Sequence, residues 1–394
     1  MTKSRRKVAR NNIWRYYLEM SEEAPKDPKL LKNTERFPSG HGYPVERLQT
    51  LKLKNEVIWV NKNLSFPFAL SEGQKDVDVG LFLDIENRKI PEDNHPLGVR
   101  WGHGRSADIG KVFFRDTNRP DLVYRDIDIK GSGDVAGSVH STGERLQSQH
   151  WRERKNPANS RGTGEYSGLL QQGAALHDSE IAENLTEMGI RTHRSLAVIK
   201  LNELPLLNST GDLAIVPIEE LVRAGVLRNN FEPALQLRAF GIKTRLIDFV
   251  TKDAFAGFGD DTEVRNMIDD ALSFVRYITK GDVGDVKGYL KWFANTLGTN
   301  VGLLEKSGSA HRFLGSQNIT LDSSIVDFDS VGSAGLRRAR DDRGNDFYEA
   351  KTAFINFATK VLDRYSIEAE TNPEEPIKRE LKDAFNRAYH TNLP

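Results

Sequence analysis

The hydrophobic pattern of the chain changes character once, at about residue 219 of 394. Before this point, short apolar runs are bounded by glycine, proline and asparagine, which is typical of β-strands. After it, apolar residues recur at helical spacing. The helices that this spacing predicts are 219–226, 263–280, 283–297, 348–364 and 375–389. The sequence therefore predicts an α+β fold in which a strand-rich part precedes a helical part.

A chain of this length exceeds the usual size of one domain, so two units or one unit with large insertions are expected. We divide it into an N-terminal arm (1–43), a strand-rich N-lobe (44–220) and a helical C-lobe (221–394). A long polar segment rich in glycine, serine and arginine, 134–167, has the composition of a loop insertion within the N-lobe.

The composition argues against several classes of function. Lys+Arg and Asp+Glu both number 56, and this zero net charge disfavours a nucleic-acid binder that relies on bulk electrostatics. The chain has no cysteine, which excludes disulfides, thiolate metal sites and cysteine nucleophiles. No apolar run approaches the roughly 18 residues that a membrane span needs. We therefore expect a cytoplasmic protein without a nucleic-acid partner or a membrane association.

The segment from His311 to Asp329 (HRFLGSQNITLDSSIVDFD) carries a candidate metal site. Alternation over 319–326 predicts two short strands with a tight turn at 322–324. Such a hairpin brings Asn318 at its entrance close to Asp327 at its exit. An amide oxygen and a carboxylate suit Mg²⁺, and kinase-like enzymes build this site from a catalytic-loop asparagine and a later aspartate. An ordinary hairpin whose polar residues serve turns is the alternative.

Two upstream features suit phosphate binding. A glycine turn at 102–106 (GHGRS) lets backbone N–H groups approach phosphates, because glycine lacks a Cβ. A predicted strand at 122–129 ends at Lys130, which can pair with phosphates. The predicted helix 169–188 follows, and its acidic residues could reach the lysine; they are Asp178, Glu180 and Glu183. This order of parts is that of a protein-kinase-like two-lobed fold.

Five short motifs stand in a fixed order along the chain. They are GHGRS at 102–106, IKGSG at 129–133, MGIRTHRSLAV at 188–198, RAFG at 238–241, and HRFLGSQNITL at 311–321 followed by VDF at 326–328. In this order they resemble motifs of the selenoprotein O family, the pseudokinase-like protein adenylyltransferases. The resemblance covers residues 97–200 and 230–330, about half of the chain.

The family counterparts of these motifs are GDGRA, LKGSG or LKGAG, LGIPTTRALAL, RFG and HGVMNTDNMSI followed by IDYG. Gly110 follows the glycine turn at the family's spacing. His311, Asn318 and Asp327 keep the family's mutual spacings, whereas RAFG has one residue more than RFG.

The resemblance implies that ATP binds in an inverted pose, so that its α-phosphate is attacked and AMP is transferred. Lys130 would hold phosphates and be fixed by Asp178 or Glu183, while Asn318 and Asp327 would hold Mg²⁺. The acceptor would be a protein, a peptide or a small molecule.

Other residues belong to the same expected site. Arg238 and Arg245 are candidate phosphate clamps because guanidinium forks suit phosphate oxygens, although a surface salt bridge is the commoner fate of an arginine. The turn residues Gly102, Gly104 and Arg105 would also contact the nucleotide. His311 either supports the loop or acts as a base.

The chain departs from the family where the family places its base. The aspartate directly before the metal-binding asparagine is Gln317 here, and glutamine cannot accept a proton at neutral pH. Asp329 is a candidate substitute. The acidic helix residue, Asp178, is one methylene shorter than glutamate.

Three functions remain open at this point. The first is AMP transfer from ATP to a protein or peptide hydroxyl. The second is a kinase-like transfer of phosphate, or activation of a carboxylate, on a small molecule. The third is a nucleotide-binding pseudoenzyme that acts as a scaffold, which Gln317 favours.

Overall fold

The computed structural model describes residues 46–84, 97–99, 106–116, 118–119, 121–133, 169–207, 213–224, 227, 229–250, 261–328, 331, 336–365 and 376–393. Its strands are β1 (Glu46–Lys52), β2 (Asn55–Val60), β3 (Leu81–Asp84), β4 (Leu97–Val99), β5 (Ser106–Arg115), β6 (Val123–Lys130), β7 (Leu170–Gln171), β8 (Arg194–Leu201), β9 (Glu203–Leu207), β10 (Leu213–Pro217) and β11 (Pro233–Phe240). Its helices are α1 (Gln172–Glu187), α2 (Ile218–Arg223), α3 (Asp261–Ile278), α4 (Val286–Lys306), α5 (Leu336–Arg364) and α6 (Pro376–Thr391). Within these ranges, no helix combines the length and the apolar character that a membrane crossing requires.

Most strands belong to one nine-stranded sheet in which the described pairings are antiparallel. Its order is β2-β8-β11-β6-β5-β4-β1-β3, and the short β7 also pairs with β11. A separate two-stranded sheet joins β9 and β10. The protein is therefore a mixed α+β structure with an antiparallel sheet, as the sequence predicts at this coarse level.

The sequence pattern predicted that strands end near residue 219, but strand β11 lies beyond that position. It lies in the interior of the sheet between β6 and β8, well beyond residue 219. All eight of its residues are buried, so the strand lacks the alternation of buried and exposed residues that identifies a half-buried strand. The five helices that the helical spacing predicts are present as α2 to α6.

Helices α4 and α6 pack closely because α4 carries glycine at the contact. A Cβ on Gly302 would lie 2.6 Å from the carbonyl oxygen of Tyr389, and one on Gly298 would collide with the carbonyl oxygen of Phe385. Any larger residue at either position would push the helices apart.

Two large hydrophobic clusters form the core of the described residues. One lies mainly among the helices and includes Phe293 and Phe354, and the other lies on one face of the sheet and includes Ile129 and Leu237. Helix α1 packs on β8 and β11. Apolar residues of the segment 311–328 join the helical cluster; they are Leu314, Ile319, Leu321, Ile325 and Phe328.

The hairpin predicted at 319–326 exists as single bridges and not as two strands. Ile319 pairs with Ile325, but the segment also bridges to Arg245 on one side and to Thr192 on the other. Because these different backbones share the segment, no continuous ladder forms. The predicted turn is present: the N–H of Thr320 donates to the carbonyl oxygen of Ser324 at 3.0 Å.

Candidate functional site

Strand β6 carries charged residues that alternate with isoleucines. Asp126, Asp128 and Lys130 alternate with Ile127 and Ile129, and a period of two places the charges on the face opposite the isoleucines. The isoleucines belong to the hydrophobic cluster on the sheet. Asp128 and Lys130 are buried against groups of opposite charge. The candidate site gathers on this charged face.

Lys130 forms an ion pair with Asp327. Its Nζ lies 2.5 Å from Asp327 Oδ1, across 197 positions of sequence. The side chain of Lys130 is 3% exposed, and that of Asp327 is 28% exposed. The structure thus joins a residue predicted to hold phosphates to a residue predicted to hold metal, and the carboxylate remains partly open to solvent.

The backbone of Asp327 is held in an uncommon conformation. Its φ is 74°, in the left-handed region that non-glycine residues seldom adopt. On one side, the N–H of Val326 donates to the carbonyl oxygen of Asn318 at 3.0 Å. On the other side, the N–H of Phe328 donates to Asp178 Oδ1 at 2.6 Å. Backbone outliers of this kind cluster at functional sites.

Three cations surround the Asp327 carboxylate. Burial alone would raise the pKa of Asp327, but the charges of Lys130, Arg245 and Arg238 hold that pKa well below its usual value. The carboxylate is therefore ionised at neutral pH. Its Oδ2 lies outside the contact with Lys130, which uses Oδ1.

Arg245 connects Asn318 to this charged group. Its Nη1 donates to the carbonyl oxygen of Gln317 at 2.6 Å and lies 3.4 Å from Asn318 Oδ1. The side-chain amide of Asn318 in turn donates to the carbonyl oxygen of Phe313 at 2.8 Å. Arg245 therefore holds the turn Ser316–Asn318 in place, while Gln317 is exposed and its side-chain amide lies over Gly315.

These donors fit Mg²⁺ only together with phosphate oxygens. In the ranges that the structure describes, no group of three or more His, Cys, Asp or Glu side chains is arranged to hold a metal ion. Asn318 Oδ1 and Asp327 Oδ2 are hard oxygen donors, and proteins usually bind Mg²⁺ through one or two carboxylates plus substrate phosphates. The residues present therefore fit a nucleotide-bound Mg²⁺ and do not form a complete protein cage.

Asp178 lies near Lys130, and its carboxylate accepts hydrogen bonds from three other residues. Its Oδ2 accepts from His193 Nε2 at 2.9 Å and from Gln236 Nε2 at 2.6 Å, and its Oδ1 accepts from Phe328. Burial by itself would raise the pKa of Asp178, but His193, Lys130 and Arg238 hold it below its ordinary value. The charge of Lys130 thus reaches Asp178 and favours its ionised form.

Glu183, the other acidic residue expected to fix Lys130, has a different partner. Its carboxylate receives hydrogen bonds from the guanidinium of Arg194 and from Asn61, at 2.7 Å for the latter. Glu183 therefore stabilises the contact between α1 and β8, and the expectation that it holds Lys130 is wrong.

Arg238 on β11 forms an ion pair with Asp128 on the neighbouring strand β6. Its Nε and Nη2 lie 2.9 and 2.8 Å from the two carboxylate oxygens of Asp128, and Nη2 also lies 3.1 Å from Ser106 Oγ. Lys243 Nζ approaches the same carboxylate to 3.1 Å. Nη1 of Arg238 is buried and has no hydrogen-bond partner in the described ranges. The two nitrogens that a phosphate clamp would use together, Nε and Nη2, already bind Asp128. Among the guanidinium nitrogens, only Nη1 remains to contact a phosphate.

His311 has the contacts of a loop support. Its ring is buried, its Nε2 donates to the carbonyl oxygen of Val326 at 3.0 Å, and it meets Phe328 edge-on at 5.7 Å between ring centres. Its backbone N–H and that of Arg312 donate to the two oxygens of Asp346, at 2.6 and 2.8 Å. A fully buried ring in these contacts has no access to a substrate.

Several residues expected at the site lie outside the described residues. They are Gly102, Gly104, Arg105, Asp329, the arm 1–43 and the insertion 134–167. Gly110 lies within β5.

Sequence reasoning missed the acidic residues that surround the cations. Asp126 and Asp128 alternate with isoleucine in the stretch DIDIK, and this alternation could have identified a charged face on β6. Asp346 and His193 had no comparable signal, because each is a single polar residue whose partner is brought in by the fold, 35 and 15 positions away.

Comparisons with known proteins add little to this geometry. No family model matches the chain, and no curated protein matches it. Among solved structures, it is similar to ROP2 from Toxoplasma gondii, described as a virulence factor with a protein-kinase fold and no enzymatic activity. The two are 9% identical over 76% of this chain and 77% of that one, with a TM-score of 0.31. A likeness this weak supports no conclusion about either fold or activity.

Proposed function

We propose that this protein is an ATP- and Mg²⁺-dependent transferase with a kinase-like two-lobed fold, which transfers AMP to a hydroxyl group of a protein or peptide. The observation that carries the proposal is the contact between Lys130 and Asp327. It joins a strand-end lysine to a loop aspartate beside Asn318, and these three residue types hold phosphates and Mg²⁺ in kinase-like enzymes.

The electrostatics suit a polyphosphate. Lys130 and Arg245 are cationic groups next to an ionised carboxylate. A phosphate could replace the carboxylate as the partner of Lys130 and so leave that carboxylate for a divalent ion. Mg²⁺, when bound with the nucleotide by Asn318 and Asp327, would neutralise phosphate charge. Such transfers depend mainly on positioning and charge neutralisation, which the buried network around Asp327 provides.

The proposed transfer does not require a protein base at position 317. The acceptor hydroxyl oxygen bonds to the α-phosphorus, the bond from that phosphorus to the bridging oxygen breaks, and pyrophosphate leaves. The hydroxyl proton is lost to water late in the step, because bond formation lags bond breaking in a loose transition state. The exposed side chain of Gln317 would orient the acceptor by hydrogen bonds.

A nucleotide-binding scaffold without turnover is the second candidate. It is favoured by Gln317, since an exposed amide stands where the resembling family has an aspartate. In this case the same residues would bind ATP, and no acceptor would be modified.

Mass spectrometry of the products formed with isotopically labelled ATP and Mg²⁺ distinguishes these functions. A mass gain of AMP on the acceptor supports the proposed transfer, and a gain of phosphate replaces it with kinase chemistry. Retained ATP binding without any product identifies the scaffold. The matched control is Lys291→Ala, because Lys291 pairs with Glu380 on the surface and both side chains are more than half exposed.

A further inference from the structure

His193 lies at the centre of the contacts that hold Asp327 in place. Its Nε2 is 2.9 Å from Asp178 Oδ2, and the Oδ1 of the same carboxylate accepts the N–H of Phe328 at 2.6 Å. His193 is fully buried, and Asp178 is 1% exposed. Two hydrogen bonds that share one carboxylate therefore connect the imidazole to the backbone beside Asp327.

The ring of His193 is also sandwiched between two phenyl rings. Its centre lies 5.5 Å from that of Phe240 and 5.2 Å from that of Phe328, with interplanar angles of 30° and 16°. Phe328 is thus held at two points: its ring stacks on His193, and its N–H binds Asp178. Both contacts restrain the residue that follows Asp327.

Burying the imidazole of His193 has a free-energy cost, which the hydrogen bond of its Nε2 can offset. Nδ1 of His193 is buried with no hydrogen-bond partner in the part of the chain that the structure describes. An unmet buried polar atom destabilises the folded state. A phenylalanine would fill the same sandwich without that cost, so the polar advantage of histidine at position 193 is its bond to Asp178.

We propose that His193 is a positioning residue of the nucleotide site. Together with Gln236, which donates to the same Oδ2 at 2.6 Å, it orients the Asp178 carboxylate so that Oδ1 holds the N–H of Phe328. This contact keeps Asp327 in its left-handed conformation facing Lys130. The role in catalysis rests on the proposed function. The hydrogen-bond chain itself can be measured in the nucleotide-free protein.

Two substitutions separate the hydrogen bond from the stacking. His193→Phe keeps the aromatic sandwich and removes the donor, whereas His193→Gln places an amide donor near the position of Nε2 and removes the stacking. The readout is hydrogen exchange of the Phe328 amide in the full chain. We expect exchange about tenfold faster than wild type in His193→Phe, and within about threefold of wild type in His193→Gln.

Ser179→Ala is the matched control. Ser179 lies next to Asp178 on α1, donates to the carbonyl oxygen of Ala175 at 2.7 Å and accepts from Gln236 Nε2 at 3.2 Å. Its loss therefore removes no hydrogen bond made by the Asp178 carboxylate itself. We expect wild-type exchange at Phe328 in this variant. Fast exchange in His193→Gln with slow exchange in His193→Phe would show that stacking alone holds Phe328 and would overturn the proposal. Fast exchange in Ser179→Ala or in wild type would overturn it as well.

ATP titrations with and without Mg²⁺ test the link to the site. We expect His193→Phe to weaken ATP binding about tenfold in the presence of Mg²⁺ and to leave Mg²⁺-free binding unchanged. An unchanged Mg²⁺ dependence would overturn the positioning role. If the wild type binds no ATP, the proposed function fails, and the exchange experiment still decides whether His193 holds the Phe328 backbone.

Discussion

The ammonium of Lys130 lies 2.5 Å from the carboxylate of Asp327. Each group therefore neutralises the other where an anionic ligand and a cation are proposed to bind. Phosphates would draw the ammonium away from Oδ1 and leave the whole carboxylate available. Nucleotide and divalent ion are consequently expected to bind with positive cooperativity, each favouring the arrangement that the other needs.

Under the proposed function, Lys130 and Gln317 should differ in importance. Lys130→Ala removes the charge that faces the phosphates and should reduce turnover by more than about a hundredfold. Gln317→Ala removes only an orienting contact and should cost about tenfold. Steady-state rates with the native acceptor measure both, with Lys291→Ala as the control. Equal losses in the two site variants would show that Gln317 does more than orient.

The metal role of Asp327 predicts a selective loss. Asp327→Ala should abolish the Mg²⁺-dependent part of nucleotide binding. It also removes the partner of the buried Lys130 ammonium and should lower stability, but the Asp327 side chain is itself partly exposed and the fold should still form. Calorimetric titration of ATP with and without Mg²⁺, together with circular dichroism, makes the measurement. Asp383→Ala, on the exposed surface of α6, should bind as wild type does. Unchanged Mg²⁺-dependent binding in Asp327→Ala would count against the site.

Arg238 should matter for stability. Arg238→Met removes the bidentate partner of the buried Asp128 carboxylate and leaves Lys243 beside it. Because breaking a whole buried ion pair typically costs about 3 to 5 kcal/mol, we expect a loss toward the lower end of that range. Urea unfolding measures the loss, and Arg387→Met, at an exposed position, should change stability little. A stable Arg238→Met variant that has lost ATP binding would instead return Arg238 to the role of a phosphate clamp.

The lowered pKa of Asp128 predicts how the stability of the protein depends on pH. Burial alone would raise the pKa of Asp128, but Arg238 and Lys243 hold it below its ordinary value. A group whose pKa falls on folding stabilises the protein above its unfolded pKa of about 3.9, and this stabilisation is lost as the pH falls below that value. The free energy of unfolding of wild type minus that of Asp128→Asn should therefore be constant near pH 7 and shrink below about pH 4. A difference that grows on acidification would contradict this assignment.

The sequence predicted local features better than the contacts of the site. Strand β6 was predicted at 122–129 with Lys130 at its end, although the alternation of its charged and apolar residues was not used. Helix α1 was predicted by its apolar spacing and by the glycine after it, Gly189, which has a φ of 90°. Strand β11 was missed because it is buried on both faces. Asp178 and Glu183 were both expected as possible partners of Lys130, because helix spacing alone does not show which way a side chain points.

The contacts between site residues could not be predicted from the sequence for a similar reason. Lys130 meets Asp327 and not Glu183 because the segment 311–328 is fixed from outside by the Asp346 carboxylate and by the bridges to Thr192 and Arg245. None of these contacts leaves a periodic pattern in the chain.

The great sequence separation of these contacts bears on how the protein folds. Lys130 and Asp327 are 197 positions apart, and Asp178 and Phe328 are 150 apart. Contacts between distant positions must overcome the entropy of closing a long loop, so they form late and depend on elements that have already docked. Partly folded chains would therefore contain several helices and local strand pairs such as β9–β10 but no site. Recovery of ATP binding during refolding would then report the last step of assembly, after most secondary structure has returned.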